Sequence, residues 1–389
     1  MAELFIKEII CKAGVIEASI FIDGKLDSIK TEVSQNMQQY ITIDRCDAFV
    51  VGLMYLALSQ GYDIKSSVPI SEELYYNLEN HFIDALAYPG SGFHRTRLNM
   101  PTIKECNHES GIVATGVSCG VDCLYTLSVH ENNVMPSFKI THLAFYNVGS
   151  HQTGLSFEDD KKLYEGRYNL CKSFAEEYGY TFYTISSDIH AFIQRNGEYS
   201  HVNNHSYMAA FCVLLLQKGL SKYYYSAGYP YTDFRTFKNY KKEELDSAMY
   251  DLLTFYTISI GELKVYSAGG AIKRIDKTRF LAEYEPAHKY LNVCVHKPKN
   301  DGTCFKCVRT LLSIDATGHI NDFSSVFDIE NYKRHKREFL RQTWIAAVFG
   351  HDELSQEILP LYKEELSLLF KFNAVIGKFV DAIKRRLYR

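Results

Sequence analysis

Residues 111–127 read GIVATGVSCGVDCLYTL, and this stretch decides the fold class. Its first part, Gly111–Val117, is an apolar run of strand length. Residues 118–120, SCG, separate this run from Val121–Ser128, where apolar side chains recur at helical spacing. The segment therefore predicts a buried strand that passes through a tight turn directly into a helix.

Strands and helices alternate downstream of this turn. Apolar strands are predicted at Thr141–Val148, Tyr180–Ile185 and Lys222–Ser226. The helices predicted between them are Lys161–Tyr178 and Ser206–Lys218. This alternation is typical of βαβ units, whose strands are parallel. We therefore predict an α/β fold in which residues 106–320 form a Rossmann-like parallel sheet with flanking helices.

The two ends of the chain are predicted to differ from this middle part. The N-terminal part is predicted to hold two strands and two helices, at 4–10, 18–23, Asp47–Ser59 and Ser71–Asn80. Residues 1–105 therefore predict a small α+β domain, and the turn-rich stretch 87–110 indicates a linker. Residues 321–389 predict a C-terminal helical segment with a break at Pro360.

Composition limits the kind of protein. The chain has 389 residues, with 43 Lys and Arg against 46 Asp and Glu, so its formal charge is −3. It lacks the basic excess that nucleic-acid-binding domains carry. An aromatic content of 14% excludes a disordered scaffold, and no apolar run reaches the roughly 20 residues of a membrane span. We expect a cytoplasmic protein whose ten cysteines are thiols, core residues or metal ligands rather than disulfides.

The turn itself has the features of an anion-binding loop. A small residue and a glycine between strand and helix let backbone N–H groups approach an anion at the helix N-terminus. The Ser118 hydroxyl can donate to phosphate, and Asp122 can hold Mg²⁺. The GxxxxGK[ST] phosphate loop occurs nowhere in the chain.

Two other interpretations of the turn stay open. Residues 116–120, GVSCG, match the G-x-S-x-G nucleophile elbow of hydrolases, with Asp315 and His319 as candidate acid and base. Such a hydrolase needs several further strands upstream, and we expect too few of them. The other interpretation is structural: a tight glycine turn that starts a core helix.

The turn resembles the SGGxDS loop of the ATP pyrophosphatase (PP-loop) superfamily, and later segments are most similar to its 7-cyano-7-deazaguanine synthase branch. Residues 145–154, FYNVGSHQTG, stand where that branch has a nucleotide-contacting Tyr-Gly segment. The strand Tyr223–Ala227 ends at Gly228, similar to the family's strand and substrate-contacting loop. The sequence RIDKT at 274–278 resembles a helix start whose lysine, here Lys277, reaches phosphate; the alternative is a solvated helix lysine.

The resemblance covers about residues 106–315 and implies a HUP-type domain that splits ATP into AMP and pyrophosphate by adenylating a substrate. Asp122 and Lys277 are the implied catalytic residues, because Asp122 positions Mg²⁺ and Lys277 stabilises developing phosphate charge. The implied nucleotide-binding residues are Ser118, Cys119, Gly120, Val121, Asp122, Cys123 and Gly228. The expected activity is that of a ligase or synthase, in which an adenylated carboxylate or amide is attacked by ammonia, an amine or sulfide.

Two positions depart from the family loop. Cys119 replaces a glycine, so a Cβ has to fit close to the phosphates, and a thiol at a helix N-terminus can also be reactive. Cys123 replaces a serine that donates to phosphate, which a thiol does poorly. These changes keep open a second function, a non-catalytic ATP- or AMP-binding module that regulates or docks a partner.

Three cysteines form C-x9-C-x2-C: Cys294, Cys304 and Cys307. The synthase branch has a zinc-binding C-x8-C-x2-C-x2-C here, and three thiolates supply most of a tetrahedral zinc site. Asp301 stands in place of the family's second cysteine, so the fourth ligand is Asp301, His296 or water. The alternative is a set of buried thiols.

The remaining expectations concern the substrate and partners. The chain carries N- and C-terminal parts that a minimal synthase lacks, so the substrate is expected to be a small molecule, a peptide or a protein. No membrane partner is expected, nucleic acid is not favoured although tRNA stays open, and a homodimer is possible. The aromatic run 223–237, YYYSAGYPYTDFRTF, can stack on a heteroaromatic base or simply pack as a strand and loop.

Overall fold

The computed structural model describes residues 2–133, 135–152, 156–237 and 245–387, without the side chains of 379–387. The strands are β1 (Glu3–Lys12), β2 (Val15–Ile22), β3 (Lys25–Val33), β4 (Asp63–Ser66), β5 (Ile70–Ser71), β6 (Leu98–Asn99), β7 (Thr102–Ile103), β8 (Ile112–Gly116), β9 (His142–Asn147), β10 (Thr181–Ser187), β11 (Leu220–Ser226) and β12 (Lys264–Ala268). The helices are α1 (Asp47–Gly52), α2 (Met54–Gln60), α3 (Glu72–Asn77), α4 (Ile83–Leu86), α5 (Val121–Glu131), α6 (Phe157–Glu177), α7 (Ile189–Asn196), α8 (His201–Leu215), α9 (Asp251–Thr257), α10 (Arg274–Ala282), α11 (Glu285–Tyr290), α12 (Phe305–Asp315), α13 (Ile329–Phe349), α14 (Glu353–Ile358) and α15 (Leu368–Leu387).

One large sheet organises the molecule. Ten strands lie in the order β12-β11-β8-β9-β10-β3-β2-β1-β4-β6. The pairs from β12 to β10 are parallel, as are β1 with β4 and β4 with β6, whereas β10, β3, β2 and β1 pair in succession as antiparallel neighbours. A mostly parallel sheet flanked by helices confirms the predicted α/β class and is compatible with a Rossmann-like fold.

The winding of the parallel strands reverses between β8 and β11. From β8 the chain places β9 and β10 on one side, and it then returns to place β11 and β12 on the other side. In sheets wound in this way, ligands bind outside the carboxyl ends of the strands at the point of reversal. The turn after β8 therefore lies where a ligand site is expected.

Side chains alternate between two apolar clusters, one on each face of the sheet, because successive residues of a strand point to opposite faces. In β8, Ala114 belongs to the first cluster and Val113 to the second; in β11 the same holds for Tyr223 and Tyr224. Helices α1, α2, α7 and α8 contribute to the first cluster, and α5, α12 and α13 contribute to the second. Both faces of the parallel strands are thus covered, as such sheets require.

The N-terminal strands extend this sheet. The predicted strands 4–10 and 18–23 correspond to β1 and β2, whereas β3 was not predicted. Thr31 in β3 pairs with Ser187 in β10, and apolar side chains of β1, β2 and β3 belong to the first cluster. The parts of the chain on either side of residue 105 therefore share one sheet and one core, and independent folding of residues 1–105 stays a prediction.

The predicted helices differ from the observed ones mainly at their ends. The helix predicted at 47–59 is divided at Leu53 into α1 and α2, and Gly61 ends it with a φ of +77°. Ser71 precedes α3 as predicted, but its hydroxyl donates to Asp47 (2.5 Å) and does not cap the helix. Pro360 lies in a 3₁₀ turn between α14 and α15. Within the described ranges, no helix is both long and apolar enough to cross a membrane.

Candidate functional site

The turn after β8 is sharp, and a hydrogen bond from a residue distant in sequence stabilises it. Cys119 adopts the left-handed conformation (φ +54°), and Gly120 is extended before α5 begins. The Asn292 N–H donates to the Cys119 carbonyl (2.8 Å), and the Gly120 N–H donates to Ser118 Oγ (3.3 Å). The N–H groups in the first turn of a helix have no intrahelical acceptor. They lie beside the Ser118 hydroxyl, an arrangement suited to an anion.

The two loop cysteines belong to the core side of this turn. Cys119 is fully buried, and Cys123 is 4% exposed. A hydrogen bond with the Cys171 thiol, together with burial, raises the pKa of Cys119 well above its ordinary value. Burial also raises the pKa of Cys123 to about 12. These surroundings count against a reactive thiol at Cys119 and show how its Cβ is accommodated, in the second apolar cluster.

Asp122 and Lys277, which are 155 residues apart in sequence, are in direct contact. The Lys277 Nζ lies 3.1 Å from Asp122 Oδ1 and donates to the carbonyl of Ala227 at 2.6 Å. Arg274, one turn earlier in α10, places Nη1 3.4 Å from Asp122 Oδ2. Lys277 is only 1% exposed, so the alternative of a solvated helix lysine is wrong.

A cavity of about 810 Å³ opens at the carboxyl ends of β8, β9 and β11, next to α8 and α12. Its size is typical of small-molecule sites. Five of the implied nucleotide-binding residues line it: Ser118, Gly120, Asp122, Cys123 and Gly228. The other two, Cys119 and Val121, are buried behind the loop. Gln152 also lies on the wall, whereas residues 153–154 of the predicted nucleotide-contacting segment are outside the described residues.

The aromatic run is divided between the core and the cavity wall, and stacking on a heteroaromatic base stays a prediction. Tyr224 packs in the second cluster, with its ring stacked on Tyr266 at 5.4 Å between centroids. Tyr225 and Tyr229 line the cavity. Part of the run is therefore core, and part is wall.

Four basic side chains to which the sequence analysis assigned no role also line the cavity: Arg167, Arg274, Lys306 and Arg309. Arg309 is neutralised by Asp352, with Nη1 at 2.9 and 3.0 Å from the two carboxylate oxygens. Arg167 donates instead to backbone carbonyls, including that of Cys294 at 2.8 Å.

Lys306 has no carboxylate within ion-pair distance in the described part of the chain. Burial and the neighbouring charges of Arg274 and Arg309 lower the pKa of Lys306 to about 8. A desolvated ammonium among guanidinium groups is unfavourable unless an anion neutralises it. The cavity thus combines a helix N-terminus with uncompensated positive charge, and this favours phosphate or carboxylate ligands.

Cys294, Asp301, Cys304 and Cys307 converge beside the cavity. Each offers one ligand atom, and these atoms all lie within 4.8 Å of one another. Three thiols and a carboxylate at this spacing suit a tetrahedral ion such as zinc, which binds thiolate at about 2.3 Å. The predicted Cys/Asp metal-binding cluster is therefore confirmed as an arrangement of residues, and His296 is not part of the group found among the described residues.

Hydrogen bonds within the cluster join it to α12. Asp301 Oδ1 accepts the N–H groups of Thr303 and Cys304, both at 2.9 Å. Cys304 is the N-cap of α12, and its Sγ accepts the N–H of Cys307 (3.4 Å). The hydrogen bond from the Cys307 thiol lowers the pKa of Cys304 to about 5. Since Lys306 lies between these two cysteines, the cluster fixes the helical turn that directs it to the cavity.

The nucleophile-elbow interpretation lacks its partners. Asp315 accepts from Tyr332 (2.9 Å) and pairs with Lys336 (2.8 Å), while His319 pairs with Asp322 (3.0 Å). Neither Asp315 nor His319 lines the cavity that Ser118 borders. More strands precede the turn than expected, but none supplies a further parallel neighbour of β8. Five of them form the antiparallel extension of the sheet and its far edge, and β5 and β7 pair with each other in a separate two-stranded sheet.

Comparisons of the chain with protein-family models, with curated proteins and with solved structures found no match. The resemblance to the PP-loop superfamily therefore stays a prediction that rests on the motifs.

Proposed function

We propose that the protein is an ATP-dependent adenylating enzyme of the PP-loop, HUP-type class. It converts ATP to AMP and pyrophosphate while it activates a carboxylate or amide oxygen, and a nitrogen or sulfur nucleophile then displaces AMP. The supporting observation is the loop before α5, which opens into a cavity lined also by Asp122 and by basic groups without a carboxylate partner among the described residues. Lys277 does not line the cavity itself, but it is buried next to it and is paired with Asp122. A cytoplasmic location, a homodimer and the identity of the substrate stay predictions.

Each group has a place in this scheme. The N–H groups at the start of α5 and the Ser118 hydroxyl hold the pyrophosphate that leaves. Lys277 and Lys306 stabilise the charge that develops on phosphate oxygens as the α-phosphorus is attacked in line. Asp122 is the carboxylate nearest to these groups, and Mg²⁺ is commonly held by one or two carboxylates with phosphate oxygens completing its shell. Asp122 therefore suits that ion as a single protein ligand.

The test is the separation of the labelled products after parallel incubations of the protein and Mg²⁺ with [α-³²P]ATP, which reports AMP or ADP, and with [γ-³²P]ATP, which reports pyrophosphate or phosphate. Ammonium and the low-molecular-weight fraction of a cell extract are added to supply the missing substrate. AMP and pyrophosphate are expected from the unmodified protein, and Asp122→Ala is expected to abolish them. Asp276→Asn is the matched control, because Asp276 is exposed on α10 and pairs with Arg279 outside the cavity. Formation of ADP and phosphate, or failure to bind ATP in calorimetry, contradicts the proposal.

A non-catalytic nucleotide-binding module is the second candidate, and Cys123 favours it. Its thiol is buried with a raised pKa, so it does not replace the phosphate-donating hydroxyl of the family loop. In that case ATP binds, no AMP forms with any extract fraction, and Cys123→Ser leaves the protein inactive. Measurable AMP formation by the unmodified chain rejects this candidate.

A further inference from the structure

Three hydrogen-bonded side chains form a chain in the wall of the cavity. The Nε2 atom of His205 lies 2.7 Å from Asp246 Oδ1, and its Nδ1 lies 2.6 Å from the Tyr225 hydroxyl oxygen. The rings of His205 and Tyr225 are nearly parallel, at 5°, with centroids 6.3 Å apart. All three residues border the cavity that contains the loop before α5.

The partners of this chain fix the direction of proton donation. Burial alone raises the pKa of Asp246, but His205 and the Ala248 N–H, which donates to Asp246 Oδ1 at 2.9 Å, hold it below its ordinary value. Because the ionised carboxylate only accepts, Nε2 of His205 carries a proton and donates it. The Nδ1 lone pair is then free to accept the hydroxyl proton of Tyr225.

The other histidines on the described cavity wall have no such partner. The Nε2 of His151 faces the carbonyl of Tyr146 (3.2 Å), and its Nδ1 faces Arg167 (3.4 Å). Burial and Arg167 lower the pKa of His151 to about 4. Burial and the adjacent His205 lower the pKa of His201 to about 3.

The relay residues do not form a metal site. The single group of convergent ligand atoms among the described residues is the cysteine cluster, which contains neither His205 nor Asp246. A histidine held between a carboxylate and a hydroxyl is instead the arrangement that general-base catalysis uses, because the carboxylate stabilises the imidazolium that forms.

We infer that Asp246, His205 and Tyr225 form a proton relay for the second half-reaction, in which an amine or ammonia displaces AMP. This inference rests on the proposed function. As the nitrogen attacks the adenylated carbon, a C–N bond forms, the bond from that carbon to the phosphate oxygen breaks, and AMP leaves with the electron pair. The proton lost by the nitrogen passes to the Tyr225 oxygen while the Tyr225 proton passes to Nδ1 of His205. The resulting imidazolium faces the carboxylate of Asp246.

Several elements place further titratable or charged groups around the relay: His201 from α8, Asp122 from α5, Asp251 from α9, Lys277 from α10, Lys306 from α12 and Tyr229 from the loop after β11. Burial and Asp251 raise the pKa of the Tyr225 hydroxyl. Tyr225 therefore stays protonated and gives up its proton only as it receives another.

The test separates the two half-reactions with [α-³²P]ATP, which labels AMP, and [γ-³²P]ATP, which labels pyrophosphate, in the presence of Mg²⁺, ammonium and the low-molecular-weight extract fraction. His205→Ala is expected to keep the first-turnover release of pyrophosphate within about threefold and to lower ammonium-dependent AMP release by roughly 100-fold, the size of a general-base contribution. Added imidazole is expected to restore at least part of that loss. Tyr225→Phe is expected to show the same separation. His142→Asn is the control with full activity, because His142 lies at the amino end of β9 and does not line the cavity.

The possible outcomes are distinguishable. If the unmodified protein forms no AMP, the proposed function is rejected and the relay with it. If His205→Ala releases AMP normally, or loses pyrophosphate release as well and is not restored by imidazole, the relay alone is rejected. Histidine ¹⁵N NMR gives a reading that needs no turnover: His205 is expected to carry its proton on Nε2, and a signal from the Nδ1–H tautomer contradicts the relay.

Discussion

Lys306 lines the cavity and Lys277 is buried next to it, and replacing each lysine by methionine tests how differently their surroundings stabilise the two charges. Lys277 is 1% exposed and holds Asp122 and the carbonyl of Ala227 at 3.1 and 2.6 Å. Lys306 faces Arg274 and Arg309 and has no carboxylate partner in the described ranges. We therefore expect Lys277→Met to destabilise the fold and Lys306→Met to leave its stability unchanged or slightly higher.

The size of the first effect follows from the ion pair. Removal of one member of a buried ion pair costs roughly 3–5 kcal/mol because the other charge is left uncompensated. Asp122 is 17% exposed and keeps Arg274 at 3.4 Å, so part of this cost is avoided. We expect the free energy of unfolding of Lys277→Met to fall by about 2–3 kcal/mol. Because Lys306→Met removes like-charge repulsion, we expect its change to lie within about 0.5 kcal/mol.

Unlike their effects on stability, the expected effects of the two variants on pyrophosphate binding are similar. Hydrogen bonds to charged groups contribute roughly 1.5–3 kcal/mol, which corresponds to about 10–150-fold in Kd. Both variants are therefore expected to bind pyrophosphate at least about tenfold more weakly in calorimetry. Urea unfolding followed by the fluorescence of Trp344, the one tryptophan, gives the stability. Equal destabilisation by the two variants, or unchanged pyrophosphate affinity in Lys306→Met, refutes the reasoning.

Three further results are expected. Metal analysis should find about one zinc per chain, which Cys304→Ser removes and His296→Ala retains; equal loss in both variants contradicts the assigned ligands. Burial raises the pKa of Asp251 from its ordinary 3.8 to about 6, so the folded state binds the extra proton and stability falls as pH rises through that interval. Asp251→Asn should therefore gain about 2 kcal/mol over the unmodified protein between pH 4 and pH 7 in urea unfolding, and a constant difference argues against the shift. Finally, a thiol-alkylating reagent should modify Cys119 of the native protein at neutral pH about 100-fold more slowly than the half-exposed Cys11, because the Cys119 thiol is buried and its pKa is raised. Peptide mass spectrometry measures the two rates, and similar rates contradict the burial of Cys119.

Local patterns in the sequence were sufficient for the loop, for the cysteine cluster and for six strands, namely β1, β2, β8, β9, β10 and β11, whereas β3 to β7 and β12 were not predicted. The strand, turn and helix at 111–127 occupy adjacent positions, and the metal ligands lie within 14 residues of one another, so spacing alone carries the information. The contact between Asp122 and Lys277 was reached only through the family resemblance. The third strand was missed although the Asp23-Gly24 turn leads into it and it pairs with β2 along its length. Its pairing with β10, which lies far along the chain, is encoded by no local pattern.

The basic residues of the cavity were missed for a related reason. Arg167 and Arg309 lie on helices whose surface charges look ordinary in sequence, and only the fold brings them to one wall. Lys306 carried a usable signal, since it is the second residue of α12. A cation in the first turn of a helix opposes the helix dipole and is expected there only when something else stabilises it.

The junction of β3 with β10 has a consequence for synthesis of the chain. Ser34 lies just after β3, and its Oγ accepts a hydrogen bond from the N–H of Thr184, which is 150 residues away in sequence. At the roughly 5–20 residues per second of a ribosome, the outer edge of β3 emerges about 8–30 s before the strand that covers it. A bare strand edge invites pairing with other chains, and charged side chains discourage this. Lys25, Asp27, Lys30 and Glu32 give β3 such a charged edge, so the nascent hairpin is protected while the parallel half of the sheet is still being made.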